Sequence, residues 1–367
     1  MNQPQNNYLD TLDWIGSLNQ NKIVPGLERI KKLMNALGNP HNNLRLIIIG
    51  GTNAKGSTAL NLNHNLTKAG LKSGCFTSPH LHSVRERIRI GEKIISQDDF
   101  TKVLELLHQN VVNKQIRATY FEVLTAAAYY YFYAEKVDWA IMEVGLGGEW
   151  DAVNAGDAEV AILTTLGIDH VDYLGHRLED IAKTKARIVR KSSKVITGWP
   201  EKYHKHIPRC ESLSYGLDIE KWVNLAIEAI GMETKTEIIK IPGRYEKCDN
   251  FTLDTAHNPQ AIQFVTARIK GCEKIILGLM RDKDIEGIIN FLPKKCEILA
   301  CNLKTERSAS SNKIAKLCRD LKYNFKEFND VKKAIEYSRN HKTLITGSFH
   351  TVAEARLYLK LKGHSEL

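Results

Sequence analysis

The chain has 367 residues, 43% of them hydrophobic, enough to bury a sizeable core and to build two domains. A formal charge of +10 and a pI near 9.1 suit polyanionic partners, but the Lys and Arg are spread along the chain without an RNP-type or helix-turn-helix pattern, which argues against nucleic acid. Neither the opening Met1-Asn2-Gln3-Pro4 nor any later apolar run reads as a secretory leader or a bilayer span, and seven cysteines without C-x-x-C spacing fit reduced, structural thiols, so a cytoplasmic protein without membrane partners is expected.

Two helices are predicted first, over 9–18 and 26–37, the second with Leu27, Ile30, Leu33, Met34 and Leu37 on one face and a stop at Gly38-Asn39-Pro40. The apolar run Leu44 to Ile49 then enters Gly50-Gly51-Thr52-Asn53-Ala54-Lys55-Gly56-Ser57-Thr58, followed by an amphipathic stretch ending near Gly70. Strand, glycine-rich turn and helix in that order describe a phosphate loop: glycines admit a tight bend, the helix N-terminus favours an anion, and Lys55 adds a mobile charge. The spacing departs from G-x-x-x-x-G-K-[ST], and an ordinary βα turn is the competing reading. A strand at 74–77 leaves through Thr77-Ser78-Pro79-His80-Leu81, a position where parallel sheets bind ligands; Ser78 suits a hard cation or phosphate, or is part of a plain Ser-Pro turn. The stretch Arg85-Glu86-Arg87-Ile88-Arg89 reads as a solvated strand face.

An apolar helix opens at Ala118-Thr119-Tyr120-Phe121-Glu122 and runs to Ala134, too hydrophobic to be exposed. The strand 139–144 carries Glu143 into Gly145-Leu146-Gly147-Gly148, and a carboxylate at a buried strand exit is costly unless it is paired or metal-bound. A strand at 160–163 leads to Asp169-His170, so Ser78, Glu143 and His170 are expected at one sheet edge beside the loop. Beyond Gly198 the alternation weakens, with 200–213 polar and irregular and a short helix around Trp222. Ile241-Pro242-Gly243-Arg244 reads as a hinge, after which strands at 251–254, 274–277, 297–300 and 343–345 make a smaller sheet without G-x-G-x-x-G. The expected architecture is α/β, with a first domain over 1–241 and a second over 242–367.

GGTNAKGST, TSPHL followed by ERIRI, TYFE, EVGLGG, DHVDYLG, PGRYE, DTAHNP, DKDIEG and GSFHTVAEAR occur in order over nearly the whole chain. In this the sequence resembles dihydrofolate synthase and folylpolyglutamate synthase, relatives of the Mur ligases. The resemblance implies a Mur-ligase-like fold, in which an N-terminal P-loop ATPase domain with a mostly parallel sheet precedes a smaller Rossmann-like domain. It assigns ATP to Thr52, Asn53, Ala54, Lys55, Gly56, Ser57, Asn224, Arg244 and Asp254. Two magnesium ions fall to Ser78, Glu143, His170 and a carbamylated Lys185, and the catalysis to Lys55, Glu143, His170 and Lys185. The pterin falls to Val24, Pro25 and Gly26, to Thr119, Tyr120, Phe121 and Glu122, and to Trp150, Asp151 and Ala152.

The activity so implied joins L-glutamate to dihydropteroate, or to the γ-carboxylate of a folate, through an acyl phosphate made from ATP. The protein would act as a monomer. Several residues depart from the family pattern: Ala54 for a glycine, expected to crowd the phosphates or to force φ below zero; Glu149 for an arginine, reversing a charge near the pterin; Thr184 for a glutamate; Arg187 for a glycine; and a shortened segment after Pro200. A Mur-type ligase for another acid, a P-loop kinase and a non-catalytic nucleotide-binding paralogue are the competing classes. His257 is read either as a site residue or as a helix cap.

Overall fold

The computed structural model describes residues 4–18 and 24–362; the Met1–Gln3 opening lies outside them. Two compact units result. The first holds the chain up to Pro79 together with Val84–Ile239, and the second holds His80–Ser83 and the chain from Lys240 onward. The first stretch is therefore not unbroken over 1–241: four residues after the Ser78-Pro79 turn belong to the second unit, which resumes at Lys240.

The first unit is built on an eight-stranded sheet. Its strands are β1 (Leu46–Gly50), β2 (Ser73–Phe76), β3 (Ile88–Ile90), β4 (Lys93–Ile94), β5 (Trp139–Glu143), β6 (Val160–Leu163), β7 (Lys194–Thr197) and β8 (Ser212–Tyr215), in the order β4-β3-β2-β5-β1-β6-β7-β8. All pair in parallel except β3 and β4, which close one edge antiparallel. Every residue of β1 is buried, as a central strand covered on both faces requires. Its alternation shows in the packing: Leu46 and Ile48 join one apolar cluster, Ile47 and Ile49 the other. The second cluster holds Ala59, Leu62 and Leu66 of the helix Lys55–Lys68. The first holds the helix Tyr120–Ala134, whose start is set by a capping box between Thr119 and Glu122. The segment after Pro200 is more regular than its composition suggests, with a 3₁₀ turn at Glu201–His206 and then β8 extending the sheet in parallel.

The second unit has a six-stranded sheet, β13-β12-β11-β14-β10-β9, from β9 (Glu246–Cys248), β10 (Phe251–Leu253), β11 (Lys274–Leu277), β12 (Glu297–Cys301), β13 (Phe325–Phe328) and β14 (Thr343–Thr346). Only β9 runs antiparallel. The sequence reading missed β9 and β13, the two edge strands, because their faces are half exposed and lack the continuous apolar run of the inner four. All seven cysteines are free thiols. Among the described residues no helix is long and apolar enough to cross a membrane.

Candidate active site

Strand register decides what meets at the carboxyl edge of the first sheet. Ile49 of β1 stands opposite Glu143 of β5, and Gly50 opposite Leu163 of β6, so the loop after β1, the Glu143 side chain and the turn after Leu163 share one edge. The loop itself is held by threonines. Thr52 donates its N–H to the Thr165 carbonyl at 2.8 Å, and its hydroxyl bonds both the carbonyl and the amide of Gly167. The Asn53 N–H reaches the Thr165 hydroxyl at 2.9 Å, while the Thr164 hydroxyl donates to the Asn53 carbonyl at 2.8 Å. These bonds occupy the amides of Thr52 and Asn53. The N–H groups offered to an anion are thus those of the first turn of the helix Lys55–Lys68, which has no intrahelical acceptors for them. Lys55 folds back onto the Thr52 carbonyl at 3.3 Å.

Ala54 keeps the left-handed conformation, φ 67°, at the N-cap of that helix. The expectation that a methyl here forces φ below zero is overturned: the surrounding bonds fix the backbone and the alanine bears the strain.

Glu143 is 3% exposed and accepts the Ser78 N–H at 2.8 Å. A Cβ on Gly56 would stand 3.1 Å from its Oε2, a tight contact, so glycine here keeps the space in front of the carboxylate open. Ser78 and His170 line one cavity of about 270 Å³. His170, at φ 53° and ψ 45°, precedes the short helix Val171–Leu174. Lys185 is buried beneath the loop, its Nζ donating to the Gly51 carbonyl at 2.8 Å. Burial, then the nearby Lys55 charge, pulls its ammonium down to about 7, against the opposing pull of Asp169 and Asp151.

The same cavity is walled by Val24, Pro25, Thr119, Tyr120, Phe121, Glu122, Trp150, Asp151 and Ala152; Gly26 is not among its walls. Asp151 accepts the N–H of Leu146 at 2.8 Å and of Val153 at 3.0 Å, fixing the glycine-rich turn after β5, and burial pushes its carboxyl up to about 6. Glu122 accepts the Thr119 N–H at 2.7 Å and pairs with Arg29 at 3.0 Å.

The reading of Arg85–Arg89 as a solvated face is wrong. Arg85 is 5% and Arg87 9% exposed. Arg87 lines the cavity with its guanidinium 5.5 Å from the Tyr120 ring centroid, and burial lowers its pKa. Val84–Arg87 form a 3₁₀ turn rather than a strand, so the alternation of the arginines does not place them on one solvated face. Glu149 does not wall the cavity; it lies 3.9 Å from Arg187, so two of the departures answer each other as an ion pair.

Asn224, on the helix Ile219–Ala229, accepts a hydrogen bond from the Thr236 hydroxyl. In the second unit Asp254 takes the amides of Tyr245 and Ala256, each at 2.9 Å, and burial raises its pKa. Arg244 lies over the Phe349 ring at 5.0 Å. His257 is not the helix cap: Asn258 caps Pro259–Arg268, while the His257 Nδ1–H donates to the Thr255 carbonyl at 2.9 Å.

A family model for the Mur ligase middle domain matches residues 49–253, more than half of the chain. The chain belongs to that family. The dihydrofolate synthase/folylpolyglutamate synthase of Escherichia coli (strain K12) is 29% identical over 398 residues, covering 93% of each chain. The folylpolyglutamate synthase of Lacticaseibacillus casei is 37% identical over 199 residues, 52% of this chain and 46% of its own. Among solved structures, E. coli FolC in complex with DHPP and ADP matches with a TM-score of 0.88 at 27% identity, over 98% of this chain and 99% of that one. A bifunctional folylpolyglutamate synthase/dihydrofolate synthase with Mn, AMPPNP and L-glutamate bound matches at 0.86 and 26% identity, over 96% and 98%. The Mur-ligase-like α/β fold read from the sequence is thus the fold observed.

Proposed function

We propose that the protein is an ATP-dependent ligase that couples L-glutamate to dihydropteroate, to the γ-carboxylate of a folate, or to both. The observation that carries this reading is the shared cavity, which Ser78 and His170 line together with the aromatic Tyr120, Phe121 and Trp150. Flat, apolar walls suit a heteroaromatic ring, and the polar edge suits the reacting carboxylate and phosphates. The names of the relatives and the ligands in their structures support the same reading.

The donor set fits magnesium. Ser78 and Glu143 offer oxygens, and the glycine at 56 leaves open the space in front of the Glu143 carboxylate that a Cβ would fill. Lys185 joins the set as a carbamate: an amine brought to about 7 is half neutral at neutral pH, and neutral Nζ adds to CO₂ with loss of one proton. Two bound magnesium ions would offset the negative charge of the phosphates. The substrate carboxylate attacks the γ-phosphorus as ADP leaves, and the glutamate amine then attacks the acyl carbon as phosphate and a proton leave. Lys55 and the first helical turn hold the phosphates, and Arg87 faces the substrate's acidic end from the cavity wall. Arg244, Asp254 and Asn224 serve the nucleotide on the strength of the resemblance alone. The reading carries with it a cytoplasmic monomer.

Phosphate release from ATP by the purified protein is the test, with glutamate plus dihydropteroate, glutamate plus tetrahydrofolate, or a muramyl peptide precursor. Release that needs both glutamate and a pterin is the expected result. Release with the muramyl precursor alone, or none with any pair, refutes it in favour of a different acid or a non-catalytic paralogue.

A further inference from the structure

The helix Lys55–Lys68 carries asparagines at 61, 63 and 65, a residue that helices do not favour, and Asn61 and Asn65 are each 1% exposed. Such burial needs a tertiary reason. Ser57, Asn61 and Asn65 succeed one another at four-residue spacing along one stripe that starts in the phosphate-binding turn.

The Asn61 amide donates to the Ser57 carbonyl at 2.7 Å, and its carbonyl accepts the Ile239 N–H at 2.9 Å. Asn65 donates to the Glu237 carbonyl at 2.9 Å and accepts the Glu237 N–H at 2.8 Å, reading that backbone as a neighbouring strand would. Each partner can act in only one direction, so both amide orientations are fixed. Residues 232–240 belong to no strand, and Ile239 is the last residue of the first unit. Two side chains therefore take the place of a β-ladder for the end of this connector.

We infer that Asn61 and Asn65 form a clamp that positions the connector 236–239 on the phosphate-binding helix, and that Asn61 is a positioning residue for the ligase reaction. The inference rests on the function proposed above. Nucleotide binding draws on the loop and its threonines, which the clamp touches only at the Ser57 carbonyl. The connector adds a second route, because its Thr236 hydroxyl donates to Asn224, which the resemblance assigns to the nucleotide.

Two variants test it in the full-length protein. Asn61→Leu removes both bonds at similar size, and Ile239→Pro deletes the single N–H at a half-exposed site without touching the helix. Steady-state kinetics and hydrogen exchange of 236–240 are read for each. Exchange is expected to become faster and KM for ATP to rise, each by about tenfold or more, with kcat at saturating ATP within about twofold. Faster exchange with an unchanged KM for ATP, or a loss of kcat with KM for ATP unchanged, overturns the positioning role. Unchanged exchange in both variants overturns the clamp itself. A wild type inactive on every substrate pair counts instead against the ligase reading, while the exchange measurement still decides whether the clamp exists.

Discussion

Gly51 is the position where the phosphate loop is least tolerant. Its φ is 133°, a region that L residues rarely adopt, and a Cβ there would lie 2.0 Å from the Thr164 hydroxyl oxygen and 3.0 Å from the Thr164 nitrogen. Thr164 cannot swing away at no cost, because it is fully buried and its hydroxyl holds the Asn53 carbonyl. For Gly51→Ala the backbone strain amounts to about 1–3 kcal/mol and the overpacking to another 1–3, so a loss of about 4 kcal/mol is expected. Thr164→Ala forfeits one shared hydrogen bond, about 1 kcal/mol. Additivity would then give about 5 kcal/mol for the double variant, but removing the oxygen relieves the closest overlap, so about 3 is expected and the coupling is about 2 kcal/mol. Urea unfolding of the four proteins measures it. Additivity within about 0.5 kcal/mol would mean that the two side chains do not meet and that the loop is not arranged as described.

Ala54→Gly relieves a left-handed alanine worth about 1–2 kcal/mol, against about 0.4–1 kcal/mol of added chain entropy, so stability should hold or rise by up to about 1.6 kcal/mol; a clear fall in the urea midpoint contradicts the φ at this residue. Glu143→Ala should remove glutamate-dependent turnover by at least about 100-fold while the circular dichroism spectrum is kept, and near-normal turnover refutes the metal-holding role. Lys185 titrates near 7 when folded and near 10.5 when unfolded, so the unfolded chain binds the extra proton between those values. Stability should therefore rise with pH across that window, by up to about 1.4 kcal/mol per unit, and the gain is lost as pH falls through 7. In CO₂-free buffer Lys185→Met should flatten this slope, and an identical slope in the variant shows that another group is responsible.

The local chemistry of the site was legible in the residues alone. Glycines at 50, 51 and 56 with Lys55 announce an anion loop, and an acidic strand exit at Glu143 announces a partner for its charge, because each stems from short-range sterics and the cost of burying a charge. The inner strands were legible for the same reason, as unbroken apolar runs. Only the tertiary structure supplied the relations between residues far apart in the chain. The arginines at 85 and 87 look solvated in sequence, and only the packing of Tyr120 and its helix shows that Arg87 faces a cavity. The charge at Glu149 looks misplaced until Arg187 lies beside it, and a trio of asparagines in one helix looks unremarkable until 237–239 runs across two of them. Sequence sets the preference of each segment; which distant group satisfies a buried polar atom depends on strand register and on the path of the connector, which no local preference encodes.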